Sequence, residues 1–388
     1  MSRPPQRLGC SKGYSREAVL IICGILLIVM FGITALVSRL YHDRIQKLAQ
    51  EWFARGEAAF RPGDTKTAIT DYRNALVYAP NNSVFQLHLA QALAAQNHLE
   101  EARSYLINLL AVSPGNGEIN LELARISAHQ GEWLDAIRYY HSAIYGVWET
   151  DPLEMRWNVR RELCEYLLDR GDVSDAQPDV IALAQEVPMG NLKRQEEVGA
   201  FLLRAGLWQR GLEEFQTILR ESPQDQDAIL GVAIASYQLS DYSQALDYFD
   251  KLHGEKPLAQ NTEEMLQTSQ QIEAANPFRR GLDARKRAKR TVSAVVQASS
   301  RLAECAHDSG QALSATPPAT PLQKLYATAH SMERQWTESN LDRHSDRVDA
   351  AMSLVFEMES AAAQQCGEPK QGADRILWLL GRSREGSS

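Results

Sequence analysis

The sequence predicts an all-α protein in which an N-terminal transmembrane helix precedes a superhelical solenoid of about six repeats and a C-terminal helical extension. Three observations support this prediction. Twenty uncharged residues lie near the N-terminus, and small residues and prolines recur every 34 residues through the middle of the chain. After residue 260, apolar residues recur at helical spacing without that longer repeat.

The twenty residues Ala18–Val37, AVLIICGILLIVMFGITALV, contain no charged side chain. At about 1.5 Å per residue they span roughly 30 Å, the thickness of a hydrocarbon core. The alternative is a cleaved signal peptide, but its apolar region is usually about 7–15 residues long and ends in small residues, whereas this run ends in valine. The run therefore favours an uncleaved anchor between a basic N-terminal segment, 1–17, and a juxtamembrane helix, 38–48.

The charges that flank the span predict its orientation. Residues 1–48 carry 7 Lys/Arg and 2 Asp/Glu, and the basic residues before the span outweigh those after it by a small margin. The positive-inside rule then favours a cytoplasmic N-terminus. We expect a single-pass protein of a bacterial inner membrane with the bulk of the chain on the periplasmic side; the opposite topology is the alternative.

A 34-residue repeat is the clearest pattern in the chain. Small residues at repeat positions 8 and 20 allow the two helices of a unit to approach closely, and a proline at position 32 ends the second helix. The first unit carries Trp52, Gly56, Ala68, Tyr72, Ala75 and Pro80 at positions 4, 8, 20, 24, 27 and 32. Six units share this register: 49–82, 83–116, 117–150, 157–190, 192–225 and 226–259, the last closed by Pro257.

This pattern resembles the tetratricopeptide repeat, a helix–turn–helix unit, and the chain is similar to membrane-anchored bacterial proteins that carry it. The resemblance implies a concave groove that the first helices line with repeat positions 2, 5, 9, 12 and 13. The candidate groove residues in this sequence are Phe53, Glu57, Leu87, Gln91, Leu121, Arg125, His129, Arg161, Glu165, Glu196, Arg204, Leu230 and Tyr237. One subset of the family clamps a C-terminal carboxylate with Lys at position 5 and Asn at position 9; Phe53 and Glu57 stand there instead, so this activity is not implied.

The predicted groove mixes apolar and charged side chains, which suits an amphipathic helix or an extended peptide. The alternative is that the groove packs against C-terminal helices of the same chain. The sequence leaves both interpretations open.

The stretch Ala143–Trp157 interrupts the repeat. Position 32 of the third unit is Trp148, and a proline follows only at Pro152, with Asp151 before it as a helix cap. The surplus is six residues, because equivalent alanines are 40 residues apart instead of 34. We expect Tyr145, Trp148 and Trp157 to cluster at this junction, either as a packing plug or as a partner site, and the solenoid to change pitch there.

Residues 260–380 are predicted to form a C-terminal helical region followed by a flexible tail, 381–388. A helix over 262–275 covers the end of the solenoid, and three amphipathic helices and one short helix follow. The three have apolar stripes over 292–306, 322–336 and 348–362. Seven basic residues between Arg279 and Arg290 are either a solvated helix face or a surface for anionic lipid or nucleic acid.

Cys305 and Cys366 each stand at the C-terminal end of a predicted helix in this region. We expect them to form a disulfide, which requires an oxidising compartment and agrees with a periplasmic location. Two free thiols are the alternative. Cys164 stands at a repeat packing position and is predicted to be a buried small residue.

The sequence carries no catalytic or metal-binding motif, and its nine histidines are scattered. Residues 49–259 carry 18 Lys/Arg against 31 Asp/Glu, a net charge of −13, which argues against nucleic-acid binding. We therefore expect no enzyme activity, no cofactor, no metal and no small-molecule substrate.

Together these features predict a membrane-anchored scaffold that binds protein or peptide partners on the extracytoplasmic side of a bacterial membrane, in envelope assembly or secretion. A cytoplasm-facing adaptor and a stable structural subunit of one membrane complex are the alternatives.

Overall fold

The computed structural model describes residues 16–188, 190–252, 259–313, 318–332, 335–344 and 346–385. Over these residues the chain forms helices joined by short turns and no β-strand, which confirms the predicted all-α class. The helices are α1 (Arg16–Phe60), α2 (Thr65–Tyr78), α3 (Ser83–Ala95), α4 (Leu99–Val112), α5 (Gly117–His129), α6 (Trp133–Ile144), α7 (Pro152–Arg170), α8 (Val173–Gln185), α9 (Leu192–Arg204), α10 (Trp208–Glu221), α11 (Gln226–Gln238), α12 (Tyr242–Phe249), α13 (Gln260–Ala275), α14 (Ala284–Asp308), α15 (Pro321–Met332), α16 (Glu338–Arg343), α17 (Asp346–Cys366) and α18 (Gly372–Glu385). The predicted basic segment before residue 16 and Pro257 lie outside the described residues.

The first helix, α1, joins three predicted elements without a break: the apolar run, the juxtamembrane segment and the first helix of the first repeat. Its sequence has no proline to interrupt it. From Leu20 to Leu40 its large apolar side chains are exposed, and by length and composition the helix is able to cross a membrane. Burial begins further along, at Ala49, where α1 packs against α2.

The chain divides into two compact units, Met1–Arg160 and Arg161–Ser388, and the division falls within α7. In the first unit α1 pairs with α2, α3 with α4, and α5 with α6. Pro152 begins α7, and the Asp151 carboxylate accepts the Glu154 N–H over 3.4 Å, so Asp151 caps this helix as its place before Pro152 predicts.

Small residues set the close approach of paired helices, as the repeat pattern predicts. A Cβ atom at Gly56 would lie 2.5 Å from the Tyr72 ring, so only glycine fits there. The alanines at positions 8 and 20 of the first three units have no exposed surface: Ala68, Ala90, Ala102, Ala124 and Ala136.

A proline followed two residues later by Asn or Asp separates successive repeats. Asn82, Asn116 and Asp225 stand in this place after Pro80, Pro114 and Pro223. Their side chains accept the backbone N–H three residues on, over 3.1, 3.0 and 2.9 Å. The proline ends one helix and the cap begins the next, which keeps the turns short and uniform.

In the second unit, glycines again bring helices together. A Cβ atom at Gly199 would lie 2.7 Å from the Phe215 ring, and any side chain at Gly231 would overlap the same ring. The following helix, α13, packs on α12, in agreement with the predicted covering helix over 262–275.

The C-terminal helices α14–α18 share a core centred on α14 and α17, with Leu302, Met352 and Val355 fully buried. The structure joins Cys305 of α14 to Cys366 of α17 in a disulfide with a Cα–Cα distance of 5.9 Å.

Two details of this region differ from the sequence prediction. Trp336 is not part of the helix that begins at Pro321, because α15 ends at Met332 and Trp336 packs into the core from the connection that follows. The last helix continues to Glu385, so residues 381–385 of the predicted tail are helical. Arg384 stacks 3.7 Å from the centre of the Phe278 ring, which attaches this last turn to the core.

Candidate partner-binding site

The surplus residues after α6 fold back onto the turn between α4 and α5. The Val147 N–H donates to the Gly115 carbonyl over 2.7 Å, and the Gly117 N–H donates to the Val147 carbonyl over 2.9 Å. These bonds form an isolated parallel bridge between Asn116 and Val147. The insertion therefore docks a loop, residues 145–149 and called the bridge loop below, at the start of α5.

The side chain of Trp148 holds the bridge loop in place. Its indole N–H donates to the Ala143 carbonyl over 2.9 Å, and its ring lies against Gly117, where any side chain would overlap it. Trp148 stands at repeat position 32, which Pro80 and Pro114 occupy in the two preceding units. A docked aromatic ring thus takes the place of the proline that closes the other units.

A cleft of about 490 Å³, called the bridge cleft below, opens beside this loop. It is lined by Asn81, Ser83, Val84, Gln86, Leu87, His88, Asn108, Leu109, Val112, Ser113, Asn116, Glu118, Ile119, Val147, Trp148 and Glu149. Three of its valines are unusually accessible: Val84, Val112 and Val147 are 50%, 82% and 73% exposed. Apolar groups exposed together around a concave surface are typical of binding sites.

Polar groups line the same cleft. Glu118 and Glu149 contribute two carboxylates, and the Gln91 amide donates to Glu118 over 2.9 Å, which orients that carboxylate. Asn81 and Asn108 add side-chain amides, each of which offers both a donor and an acceptor. The bridge cleft therefore combines apolar walls, negative charge and groups able to pair with a peptide backbone.

The seven candidate groove residues of the first unit have different surroundings. Leu87 lines the bridge cleft, and Gln91 contacts its Glu118. Leu121 is buried, whereas Arg125 and His129 are exposed.

Phe53 and Glu57 pack between the first two repeats. The Phe53 ring stacks on Phe85 at 4.6 Å. The Glu57 carboxylate accepts the Tyr72 hydroxyl and lies 2.7 Å from Nδ1 of His88. Burial, and then the bond to Glu57, raise the pKa of the Tyr72 hydroxyl well above its ordinary value. These contacts attach the first repeat to the second.

Four candidate groove residues of the second unit are charged, and three of them form ion pairs. Arg161 lies 3.4 Å from Glu165 and 3.3 Å from Glu197, and Arg204 lies 2.6 Å from Asp169. Burial, followed by the nearby Asp225, raises the pKa of the Glu196 carboxyl. The two apolar candidates, Leu230 and Tyr237, pack beside the small core that includes Phe249.

The three junction aromatics have separate roles. Tyr145 is 73% exposed with the Arg160 guanidinium 6.0 Å from its ring centre, Trp148 holds the bridge loop, and Trp157 is buried at 4% exposure. The packing-plug interpretation describes Trp148 and Trp157, whereas Tyr145 presents its ring to solvent.

The exposed valines of the bridge cleft are not among the groove residues that the repeat pattern predicted. Val84 stands at repeat position 2, one of the positions assigned to the groove, so the repeat pattern could have found it. Val112 and Val147 stand at positions 30 and 31, and only the fold of the bridge loop brings them to the same cleft.

Two family models match the chain, and both are described as tetratricopeptide repeat: one covers residues 59–112 and the other residues 87–152 and 202–259. Comparison with curated proteins gives no match. Among solved structures, PilF of Pseudomonas aeruginosa is similar at 15% identity over 57% of this chain and 97% of that one, with a TM-score of 0.41. A tetratricopeptide repeat protein of Parabacteroides merdae is similar at 12% identity over 87% and 99% of the two chains, with a TM-score of 0.39.

Proposed function

We propose that this chain, a tetratricopeptide-repeat protein, is a membrane-anchored scaffold that binds a short segment of a partner polypeptide in the bridge cleft. One observation carries the proposal: three exposed valines surround a concave surface that also presents Glu118 and Glu149. Exposure of such valines to water costs free energy unless a partner covers them. Candidate groove residues that lie outside the cleft, such as Arg125 and His129, would serve as secondary contacts.

The chemistry of the cleft favours an extended segment with apolar side chains beside a lysine or arginine. Val112 and Val147 would pack against the apolar side chains, and the two glutamates would attract the positive charge. Asn81 and Asn108 would pair with the backbone of the segment. A volume of about 490 Å³ suits the side chains of a few residues and not a folded domain.

Helix α1 would supply the anchor. Because α1 continues from the apolar run into the first repeat, it would hold the repeats close to the membrane and raise the local concentration of a membrane-bound partner. We place the repeats on the extracytoplasmic side of a bacterial inner membrane, with a role in envelope assembly or secretion. The charge balance around the span and the Cys305–Cys366 disulfide support this side.

Binding of short peptides to the full-length protein in detergent tests the cleft. We expect an immobilised peptide set to retain the protein where an apolar residue lies next to Lys or Arg, and peptides with Glu in place of that basic residue to fail. Val112→Asp should weaken binding at least about tenfold, because it places a charge in the apolar wall. Val77→Asp is the matched control, since Val77 is 74% exposed on α2 and does not line the cleft.

Equal binding by the Val112→Asp and Val77→Asp variants would contradict the proposed site. Topology needs a separate measurement. A reporter enzyme that works only after export is fused to the C-terminus, and we expect it to be active. Activity of a second reporter, one that works only in the cytoplasm and is fused at the same position, would place the repeats in the cytoplasm. That result would not change the conclusion about the cleft.

A further inference from the structure

A second cleft, of about 410 Å³, lies between α17 and α18 and has no part in the proposed scaffold function. Phe356 and Trp378 contribute aromatic rings to it, Ser360 and Gln364 contribute polar side chains, and Glu359 and Arg382 contribute charges. It is called the α17–α18 cleft below. Its combination of aromatic rings and a carboxylate is independent of the repeat pattern.

Glu359 is the unusual group in this cleft because it is only 2% exposed. Its Oε2 atom accepts a hydrogen bond from Arg301, and the same guanidinium donates to the Gly367 carbonyl over 3.2 Å. The other oxygen, Oε1, is buried and accepts no hydrogen bond from the described part of the chain. A buried acceptor that lacks a donor is unfavourable, so a ligand that supplies the donor gains affinity.

We propose that the α17–α18 cleft binds the ammonium group of an alkylamine, with Glu359 Oε1 as its acceptor and Phe356 and Trp378 packed against its methylene groups. The amine is either a lysine side chain of a polypeptide or a free aliphatic amine. An ammonium group satisfies the carboxylate both as a donor and as a counter-charge, and aromatic faces attract it further.

The geometry favours an ammonium group over a guanidinium group. A guanidinium binds a carboxylate best through two parallel hydrogen bonds, which need both oxygens. In Glu359 one oxygen is already occupied by Arg301, so only a single bond is open. A compact cation with freely rotating donors matches a single acceptor.

Arg382 indicates that the Trp378 ring accepts a cation. Its guanidinium carbon lies 5.0 Å from the ring centre, and the side chain is otherwise exposed. Arg382 therefore fills part of the space that the ligand would use, and like charges repel. Removal of this positive charge should strengthen binding, which is the opposite of the effect expected for loss of Glu359.

The charges around Glu359 predict how binding depends on pH. Arg301 of α14 favours the ionised carboxylate, and Asp374 of α18 opposes it. Glu368 and Arg382 also line the cleft, one negative and one positive. Burial is the largest influence and raises the pKa of the Glu359 carboxyl to about 7. An ammonium ligand requires the ionised form, so its affinity should rise between about pH 5.5 and about pH 8.

Isothermal titration calorimetry of the full-length protein in detergent tests the proposal, with 1,4-diaminobutane as the probe. We expect saturable binding near pH 8, weaker binding near pH 5.5, and none with 1,4-butanediol, which has the same length and no charge. Glu359→Gln should weaken binding at least about tenfold and Arg382→Gln should strengthen it several-fold. A capped peptide with one lysine forms the second arm: binding of the peptide alone identifies a polypeptide ligand, and binding of the diamine alone identifies a small amine.

Two results would overturn the proposal. One is the absence of binding by both probes to the wild-type protein near pH 8. The other is an unchanged affinity in the Arg382→Gln variant, whose exposed side chain can be replaced without disturbing the core. Since Glu359→Gln leaves Arg301 without its counter-charge, its thermal unfolding is measured alongside. If the Glu359→Gln variant does not fold, the proposal is tested by whether Arg382→Gln binds the probe more tightly than the wild-type protein.

Discussion

The indole of Trp148 lies against the backbone of Gly117, at the point where the bridge loop meets the first turn of α5. The two residues are 31 positions apart, close to one repeat length, and neither belongs to the pattern of small and aromatic residues that defines the repeat. Their contact converts an insertion that would otherwise project into solvent into one wall of the bridge cleft.

Gly117→Ala should disturb this contact. The new methyl group would overlap the indole, so we expect a loss of about 1–3 kcal/mol in the free energy of unfolding and weaker peptide binding in the bridge cleft. Urea unfolding of the helices of the first unit, monitored by hydrogen exchange, measures the change in the free energy of unfolding. Gly115→Ala is the matched control, because no atom lies within 4 Å of a Cβ atom placed there. Equal stability of both variants would show that Trp148 does not hold the loop.

The Cys305–Cys366 disulfide should stabilise the C-terminal helices. The two cysteines are 61 residues apart, and closure of a loop of that length contributes about 4 kcal/mol in the chain-entropy model. We expect Cys366→Ser to lower the free energy of unfolding by an amount of that order. In wild-type protein from membranes, alkylation after unfolding and without reduction should label both Cys23 and Cys164 and leave Cys305 and Cys366 unlabelled. Labelling of both Cys305 and Cys366 would refute the disulfide.

Glu359 should make stability depend on pH. Burial raises the pKa of its carboxyl to about 7 in the folded protein, against an ordinary value of 4.5. Below about pH 4.5 the carboxyl is protonated in both the folded protein and the unfolded chain, so it does not lower the free energy of unfolding. Between 4.5 and about 7 the unfolded chain ionises first, so the free energy of unfolding falls as the pH rises, on the order of 3 kcal/mol in total.

Glu359→Gln isolates this contribution from those of other carboxylates. We expect the free energy of unfolding of the variant, relative to wild type, to rise between about pH 4.5 and about pH 7 and to level off above it. Glu368→Gln is the comparison, because Glu368 is exposed. A parallel pH dependence in wild type and Glu359→Gln would mean that Glu359 does not titrate in this range.

Continuity of α1 between the apolar run and the first repeat is also testable. Leu40→Pro should break the helix there, at a cost of about 3 kcal/mol or more, and increase hydrogen exchange over residues 38–48. Leu40→Ala should leave exchange slow. Rapid exchange over the same residues in the wild-type protein in detergent would contradict a single continuous helix.

Much of the repeat array could be predicted because each repeat needs the same residues at the same spacing. Gly56 must be glycine to accept the Tyr72 ring, and prolines followed by Asn or Asp end and begin helices by local geometry alone. Such requirements depend on neighbours within one unit, so a single sequence displays them. The C-terminal limit of α18 was harder to predict, because the contact of Arg384 with Phe278 lies beyond the apolar stripe of that helix.

The sequence constrains the candidate groove less tightly than it constrains the fold. The repeat pattern assigns side chains to positions on a helix, but it does not state which neighbours will occupy them. Phe53 and Glu57 stand at groove positions. The Phe53 ring nevertheless stacks on Phe85 of α3, and the Glu57 carboxylate contacts Tyr72 of α2 and His88 of α3. All of the groove assignments stay predictions until peptide binding is measured.

The sequence by itself determined the helical class, the repeat period, the apolar first helix and the place where the repeat is interrupted, since these follow from local composition and spacing. Only the tertiary structure decided what the interruption does. Docking of Trp148 on Gly117 and burial of Glu359 beside Arg301 depend on residues that are far apart in the chain and meet through packing. Side-chain packing across turns and between helices is not periodic, so no repeat in the sequence encodes it.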